Sequence, residues 1–162
     1  MYKRQVYGYV IIENTKAEEN EVINFAEKIG PVRTTNWGKL FNVVSKPNPN
    51  DLAYTALELK SHSDNPYRKP VPGIQLLHCI ANESTGGDSS LVDGFSVSEY
   101  LKEYYHDFYE ILTQTNVNFK FTDVDVILEN KSKLIELDSD GNFKQISFSG
   151  RLDYVPLLKE EN

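Results

Sequence analysis

The chain has 162 residues, with 17 Lys and Arg against 24 Asp and Glu for a net charge of −7, and with 40% hydrophobic and 12% aromatic residues. That composition supports a single packed domain and excludes wholesale disorder. No Lys or Arg block is present, so a nucleic-acid backbone or an anionic membrane is excluded as the main partner, while a cationic small molecule remains compatible. The apolar runs are too short to span a bilayer, and no signal-peptide core follows Met1-Tyr2-Lys3-Arg4-Gln5. A soluble, cytoplasmic protein is therefore expected. The single cysteine, Cys79, has no internal disulfide partner, and its neighbours Leu76, Leu77, His78 and Ile80 predict a buried, reduced thiol.

Val6 to Ile12 has the β-branched and aromatic content of a buried strand. A helix is expected over Ala17 to Ile29, where Val22, Ile23, Phe25, Ala26 and Ile29 fall at helical spacing and Gly30-Pro31 supplies the stop. Phe41 to Val44 reads as a short strand, Pro47 to Asp51 as a turn-rich loop and Ile74 to Ile80 as a second buried strand. Thr85-Gly86-Gly87-Asp88 is a turn into a strand over Ser89 to Val92, and the apolar spacing predicts a second helix from Val97 to Leu112. Strands are expected at Phe119 to Phe121, Val124 to Leu128, Leu134 to Leu137 and Phe143 to Phe148, with Asp138 to Asn142 as a hairpin turn. The layout is β-rich α+β with two helices, closer to a barrel or jelly roll than to a doubly wound sheet, and it reads as one domain over residues 1–162.

Only three histidines are present: His62, His78 and His106. His62-Ser63-Asp64 has the suggestive spacing, because residues i and i+2 of a strand share a face and would bring an imidazole and a carboxylate to one cation. With one further histidine they would complete the two-His, one-carboxylate triad of non-haem Fe(II) oxygenases. On spacing alone a solvated loop is the better explanation of His62. For His78 and Cys79, adjacent on a strand and so facing opposite ways, a core role outweighs nucleophilic chemistry.

Several motifs occur in a fixed order: Asp51-Leu-Ala-Tyr-Thr-Ala, Ser61-His62-Ser63-Asp64-Asn65-Pro66-Tyr67, Pro72-Gly73-Ile74-Gln75-Leu76-Leu77-His78-Cys79 and Thr85-Gly86-Gly87-Asp88-Ser89-Ser90-Leu91-Val92-Asp93-Gly94-Phe95. Together they resemble the γ-butyrobetaine and trimethyllysine dioxygenases, of the taurine dioxygenase-like group of Fe(II)/2-oxoglutarate oxygenases. The resemblance implies a double-stranded β-helix (jelly roll), with His62 and Asp64 as two of three iron ligands on one of its strands. It places Ser89 where relatives carry a hydroxyl that contacts 2-oxoglutarate, and makes Asp93 and Gly94 structural. Trp37, Phe41 and Tyr54 align with positions that cage a quaternary ammonium, which accepts and donates no hydrogen bonds and is recognised through cation–π attraction. Core packing is the competing explanation for each aromatic taken singly. Asp51 stands where the family has an asparagine near the substrate.

The family pattern also calls for a late histidine as third ligand and an arginine that pairs with 2-oxoglutarate. No histidine follows His106, and Arg151 is the one late arginine. The expectation is thus an incomplete β-helix with open sheet edges and uncovered apolar surface, completed by a second chain or by self-association. Three functions stand side by side. The first is a dioxygenase using Fe(II) and 2-oxoglutarate on a small quaternary ammonium of the kind used in carnitine biosynthesis. The second is a non-catalytic oxygenase-like domain that binds such a cation or a protein. The third and weakest is a cupin-like metal isomerase or hydrolase, in which His78 or His106 joins His62.

Overall fold

The computed structural model describes residues 7–48, 54–55, 57–83 and 85–150 together with the backbone of 153–154. Val6, Asp51 and Arg151, named above, lie outside the described residues, as does the Pro49-to-Asp51 part of the expected loop. The chain divides into two compact units, Met1–Leu57 with Ile74–Ser89, and Glu58–Gly73 with Ser90–Asn162.

In the first unit, helix α1 spans Glu21–Ile29, starting four residues later than its apolar spacing predicts. Asn20 precedes it in a left-handed conformation, and Gly30 ends it by donating its N–H to the Ala26 carbonyl at 3.0 Å. The expected strands at Tyr7 to Ile12, Phe41 to Val44, Ile74 to Ile80 and Ser89 are not in ladders. Branched and aromatic side chains favour an extended backbone, but a strand also needs a partner's N–H and C=O groups. Ile11 and Leu77 accordingly remain 76% and 77% exposed. Cys79 is exposed rather than buried, because the sheet strand that would have given it a covered face does not form among the described residues, and His78 is half-buried rather than in a core strand. Gly86 and Gly87, where a turn is predicted, both take positive φ, 92° and 81°, after a bend at Thr85.

The second unit holds the regular structure. Helix α2 spans Gly94–Tyr104 and α3 spans His106–Gln114, so the expected single helix is divided at Tyr105, whose φ of −139° and ψ of 57° break the spiral. The described residues thus contain three helices rather than two. Asp93 caps α2 by accepting from the N–H groups of Phe95 at 3.0 Å and Ser96 at 3.3 Å and from the Ser96 hydroxyl at 2.9 Å. These bonds, the Ser96 hydroxyl first, hold the Asp93 carboxyl below the usual carboxylate range. Gly94 is needed for space: a Cβ there would stand 3.0 Å from Ile146 Cγ1.

Strand β1 (Asn116–Asp123) pairs antiparallel with β2 (Val126–Lys133) through a Val124-Asp125 turn, and on its other edge with β5 (Asp153–Tyr154). Val124, expected to begin a strand, lies in that turn and is 92% exposed, its N–H donating to Asp123 Oδ1. A second sheet pairs β3 (Ile135–Leu137) with β4 (Phe143–Ile146) across the predicted Asp138-to-Asn142 turn, where the Asp138 N–H donates to the Asn142 carbonyl at 2.9 Å. Small antiparallel sheets with helices are what the described residues contain, in keeping with the β-rich α+β reading. Val117, Phe119 and Phe121 on one face of β1 form the core with Tyr67, Tyr109 and Ile135. Phe143 joins both helices to the smaller sheet, stacking on Phe95 at 5.8 Å and meeting Tyr109 edge-on at 6.4 Å. Among the described residues, no helix is long and apolar enough to cross a membrane.

The cap yields a prediction. A carboxyl held below its ordinary pKa adds stability above that value and loses it as the pH falls through the lowered one. Asp93→Ala should cost about 1 kcal/mol at neutral pH in urea unfolding. The gap to wild type should close only as the pH falls through the lowered Asp93 value, beneath the ordinary carboxylate range, where Asp93 in the folded chain is itself protonated.

Candidate metal and cation site

His62 and Asp64 lie on an irregular segment of the second unit, not on a strand of a sheet as expected. What fixes that segment is Ser63 between them. Its N–H donates to the Phe148 carbonyl at 2.6 Å, and its hydroxyl accepts from the Phe148 N–H at 2.8 Å. One hydroxyl thus replaces the second backbone bond of a β-bridge and ties the segment to the chain leaving β4. Immediately afterwards Asn65 turns the chain at φ 55°, Pro66 is fully buried and Tyr67 stacks on Phe121 at 5.0 Å. Asn130 of β2 donates to the Pro66 carbonyl at 2.9 Å, and the Tyr67 hydroxyl donates to Asn65 Oδ1 at 2.5 Å.

With both flanks held, the His62 and Asp64 side chains converge: Nε2 and Oδ1 are 3.2 Å apart, each side chain about one-third exposed, at 35% and 39%. The other ring nitrogen, Nδ1, lies 2.6 Å from the Lys60 carbonyl. A carbonyl only accepts, so the contact calls for a hydrogen on Nδ1, and Nε2 faces the Asp64 carboxylate either with its lone pair or, in the imidazolium, with a second N–H. Two electron-pair donors facing each other at that distance require positive charge between them, either a proton on Nε2 or a cation. Adjacent vertices of an octahedral site with bonds of about 2.1 Å lie about 3 Å apart, so the pair fits a shared first-row metal ion. Among the described residues, no group of three or more His, Cys, Asp or Glu side chains gathers to hold a metal. His106 lies on the surface of α3, 3.5 Å from Glu110. His78 belongs to the first unit, its two ring nitrogens buried without a hydrogen-bond partner.

The aromatic candidates also belong to the first unit. Trp37 sits on a tight turn in which Thr35 and Gly38 exchange backbone bonds of 3.0 Å and the Trp37 N–H donates to Thr35 Oγ1. Gly38 adopts a φ of 87° that side-chain-bearing residues rarely take. The turn brings the Trp37 ring to 5.3 Å from Phe41, tilted by 51°. Tyr54 carries the Lys46 ammonium over its ring, 3.7 Å from the centroid. Ser89 is exposed in the same unit, and Asp51 is outside the described residues. Sequence reasoning passed over Lys46, whose contact depends on loop closure and leaves no pattern in the chain. It passed over the anchoring role of Ser63 as well, although a hydroxyl residue between two same-facing candidates was the available signal.

These features belong to a defined class. The family described as taurine catabolism dioxygenase TauD, TfdA family matches residues 4–161, and the chain belongs to that family. It is 36% identical over 145 residues to the γ-butyrobetaine dioxygenase of Pseudomonas sp. (strain AK-1), covering 90% of this chain and 38% of that protein. It is 37% identical to the Homo sapiens γ-butyrobetaine dioxygenase, with 88% and 38% covered. Similarity to the trimethyllysine dioxygenase of Meyerozyma guilliermondii is 36% over 111 residues, or 68% of this chain and 28% of that protein. The chain thus spans well under half the length of the curated relatives it matches.

Removing the Ser63 hydroxyl deprives the Phe148 N–H of its acceptor. Ser63→Ala should cost about 1–2 kcal/mol in denaturant unfolding, whereas Ser63→Thr, which keeps the oxygen, should recover most of the loss.

Proposed function

We propose that this chain is part of an Fe(II)- and 2-oxoglutarate-dependent dioxygenase that hydroxylates a small quaternary ammonium compound such as γ-butyrobetaine. In this reading His62 Nε2 and Asp64 Oδ1 are two of the iron ligands, and the Ser89 hydroxyl contacts 2-oxoglutarate. Trp37, Phe41 and Tyr54 receive the trimethylammonium group, and Asp51 contributes to substrate binding. The observation that carries the reading is the 3.2 Å approach of two lone-pair donors, with the other imidazole nitrogen already committed to a carbonyl, in a chain that belongs to a dioxygenase family.

Bound iron with its co-substrate supplies the oxidising power that breaks an unactivated C–H bond. The chain's own residues do the rest. The Lys60 carbonyl selects the His62 tautomer that exposes Nε2, and Ser63 holds that nitrogen and the Asp64 carboxylate on one side of the segment. A quaternary ammonium offers no hydrogen, so aromatic faces orient it by charge and shape alone. The remaining metal ligand and the cationic partner of the co-substrate come, in this reading, from another stretch of a longer protein or from a second copy.

The reading is tested by anaerobic titration with Fe(II) and 2-oxoglutarate, following the weak visible charge-transfer band of the chelate. A saturable band that disappears in His62→Ala is the expected result. A wild-type chain that gives no band at stoichiometric protein would instead favour a non-catalytic domain that binds the cation.

A further inference from the structure

Lys46 and Tyr54 meet twice. The Lys46 N–H donates to the Tyr54 carbonyl at 2.9 Å, and the Lys46 ammonium lies 3.7 Å from the centre of the Tyr54 ring. The backbone bond closes the intervening loop and sets the two Cα positions beside each other, so the lysine stem need only fold back to place its charge on the ring. The ring face already performs the interaction that a quaternary ammonium would require, with the chain's own cation as the occupant.

The geometry points to Lys46 as an affinity-setting residue: a resident cation on Tyr54 that a substrate ammonium must displace. The inference rests on the reading of Tyr54 as part of the substrate-binding aromatic set. A primary ammonium is a compact charge that water solvates strongly through three N–H donors, and holding it on a ring also restricts a flexible four-carbon stem. A trimethylammonium group has no N–H to hydrate and presents a broad methyl surface to the ring, so it leaves water more readily and wins the exchange. Free primary amines enjoy no such advantage over the resident lysine. Lys46 thereby lowers the affinity of every occupant of the ring by the same factor, while the preference among cations comes from their own ease of desolvation.

The test is calorimetric titration of the full chain with γ-butyrobetaine and, in parallel, with its carbon isostere, in which a quaternary carbon replaces the nitrogen. Lys46→Met, which removes the competing charge, should tighten γ-butyrobetaine binding by about two- to thirty-fold, the range that cation–π contacts span. The isostere has to displace the same lysine, so its weaker affinity should rise by a similar factor. Lys46→Arg keeps a cation for the ring and should show no such gain. Lys28→Met, which removes a charge from α1, controls for net charge. Lys46→Met that fails to tighten binding, or Lys28→Met that tightens it equally, overturns the role of Lys46. Tyr54→Leu separates this from the underlying reading. If that variant binds γ-butyrobetaine as wild type does, Tyr54 is not a substrate residue and both fall. If it weakens binding while Lys46→Met changes nothing, only the inference about Lys46 fails. No binding by wild type or Lys46→Met at millimolar ligand overturns both.

Discussion

Burial of one face of β1 is the constraint on which the candidate metal pair depends. Val117, Phe119 and Phe121 recur at every second residue and are 1%, 0% and 8% exposed. Covering each such side chain contributes about 1.5–3 kcal/mol. Tyr67 completes that surface by stacking on Phe121, and because Pro66 and Arg68 are buried with it, the chain between Asn65 and Arg68 has little freedom. His62 and Asp64 lie just before this anchored stretch. Their own contact is half-exposed and would organise little by itself, since solvent-accessible ion pairs contribute on the order of 0–1 kcal/mol. The core supplies the energy, and the pair inherits its position from it.

The candidate residues are held differently in the two units. In the second, donor atoms are placed by hydrogen bonds to backbone that is itself packed, as with Ser63 on Phe148 and Asn130 on Pro66. In the first, the aromatics are placed by turns and loop closures: Trp37 by the Thr35–Gly38 exchange, Tyr54 by its carbonyl bond to Lys46. An ion pair at 3.0 Å between Glu27 of α1 and Lys39 adds a further tie near Trp37. Turn-borne side chains adapt more readily than core-anchored ones. That contrast suits the proposed roles, because metal ligation demands fixed donor angles while cation–π recognition tolerates a range of approach.

What was legible in the chain follows which interactions are local. The Gly30 stop and the Asp138-to-Asn142 turn each depend on residues within a few positions, and each appears as its residue types indicate. The helical stretch was legible from Val97 to Leu112 but not in its start at Gly94, which the Asp93 cap sets, nor in its division, because nothing in the apolar spacing marks Tyr105 as a break. Ladders were the weak point. Val10-Ile11-Ile12 and Ile74 to Ile80 have strand composition, yet composition specifies an extended backbone and not the identity of a partner. Cys79 followed the same error, since its predicted burial presupposed a sheet with a covered face. For the site, the His62–Asp64 pairing was legible from spacing, although the geometry arises on an irregular segment.

The least legible element carries the most chemical information. Whether His62 presents Nε2 or Nδ1 to Asp64 is set by the Lys60 carbonyl, and a main-chain oxygen has no signature in sequence because every residue carries one. Yet that bond decides what the pair can do. Were Nδ1 without a carbonyl, the imidazole could place its hydrogen on Nε2 and donate to the carboxylate, and the neutral pair would be satisfied with no further charge. Committing Nδ1–H to the carbonyl removes that option, and the 3.2 Å approach is then bridged either by a second ring proton, as an imidazolium donating to both oxygens, or by a bound cation. Either way the pair draws one positive charge to a spot fixed by backbone that the β1 core and the Ser63 anchor hold in place.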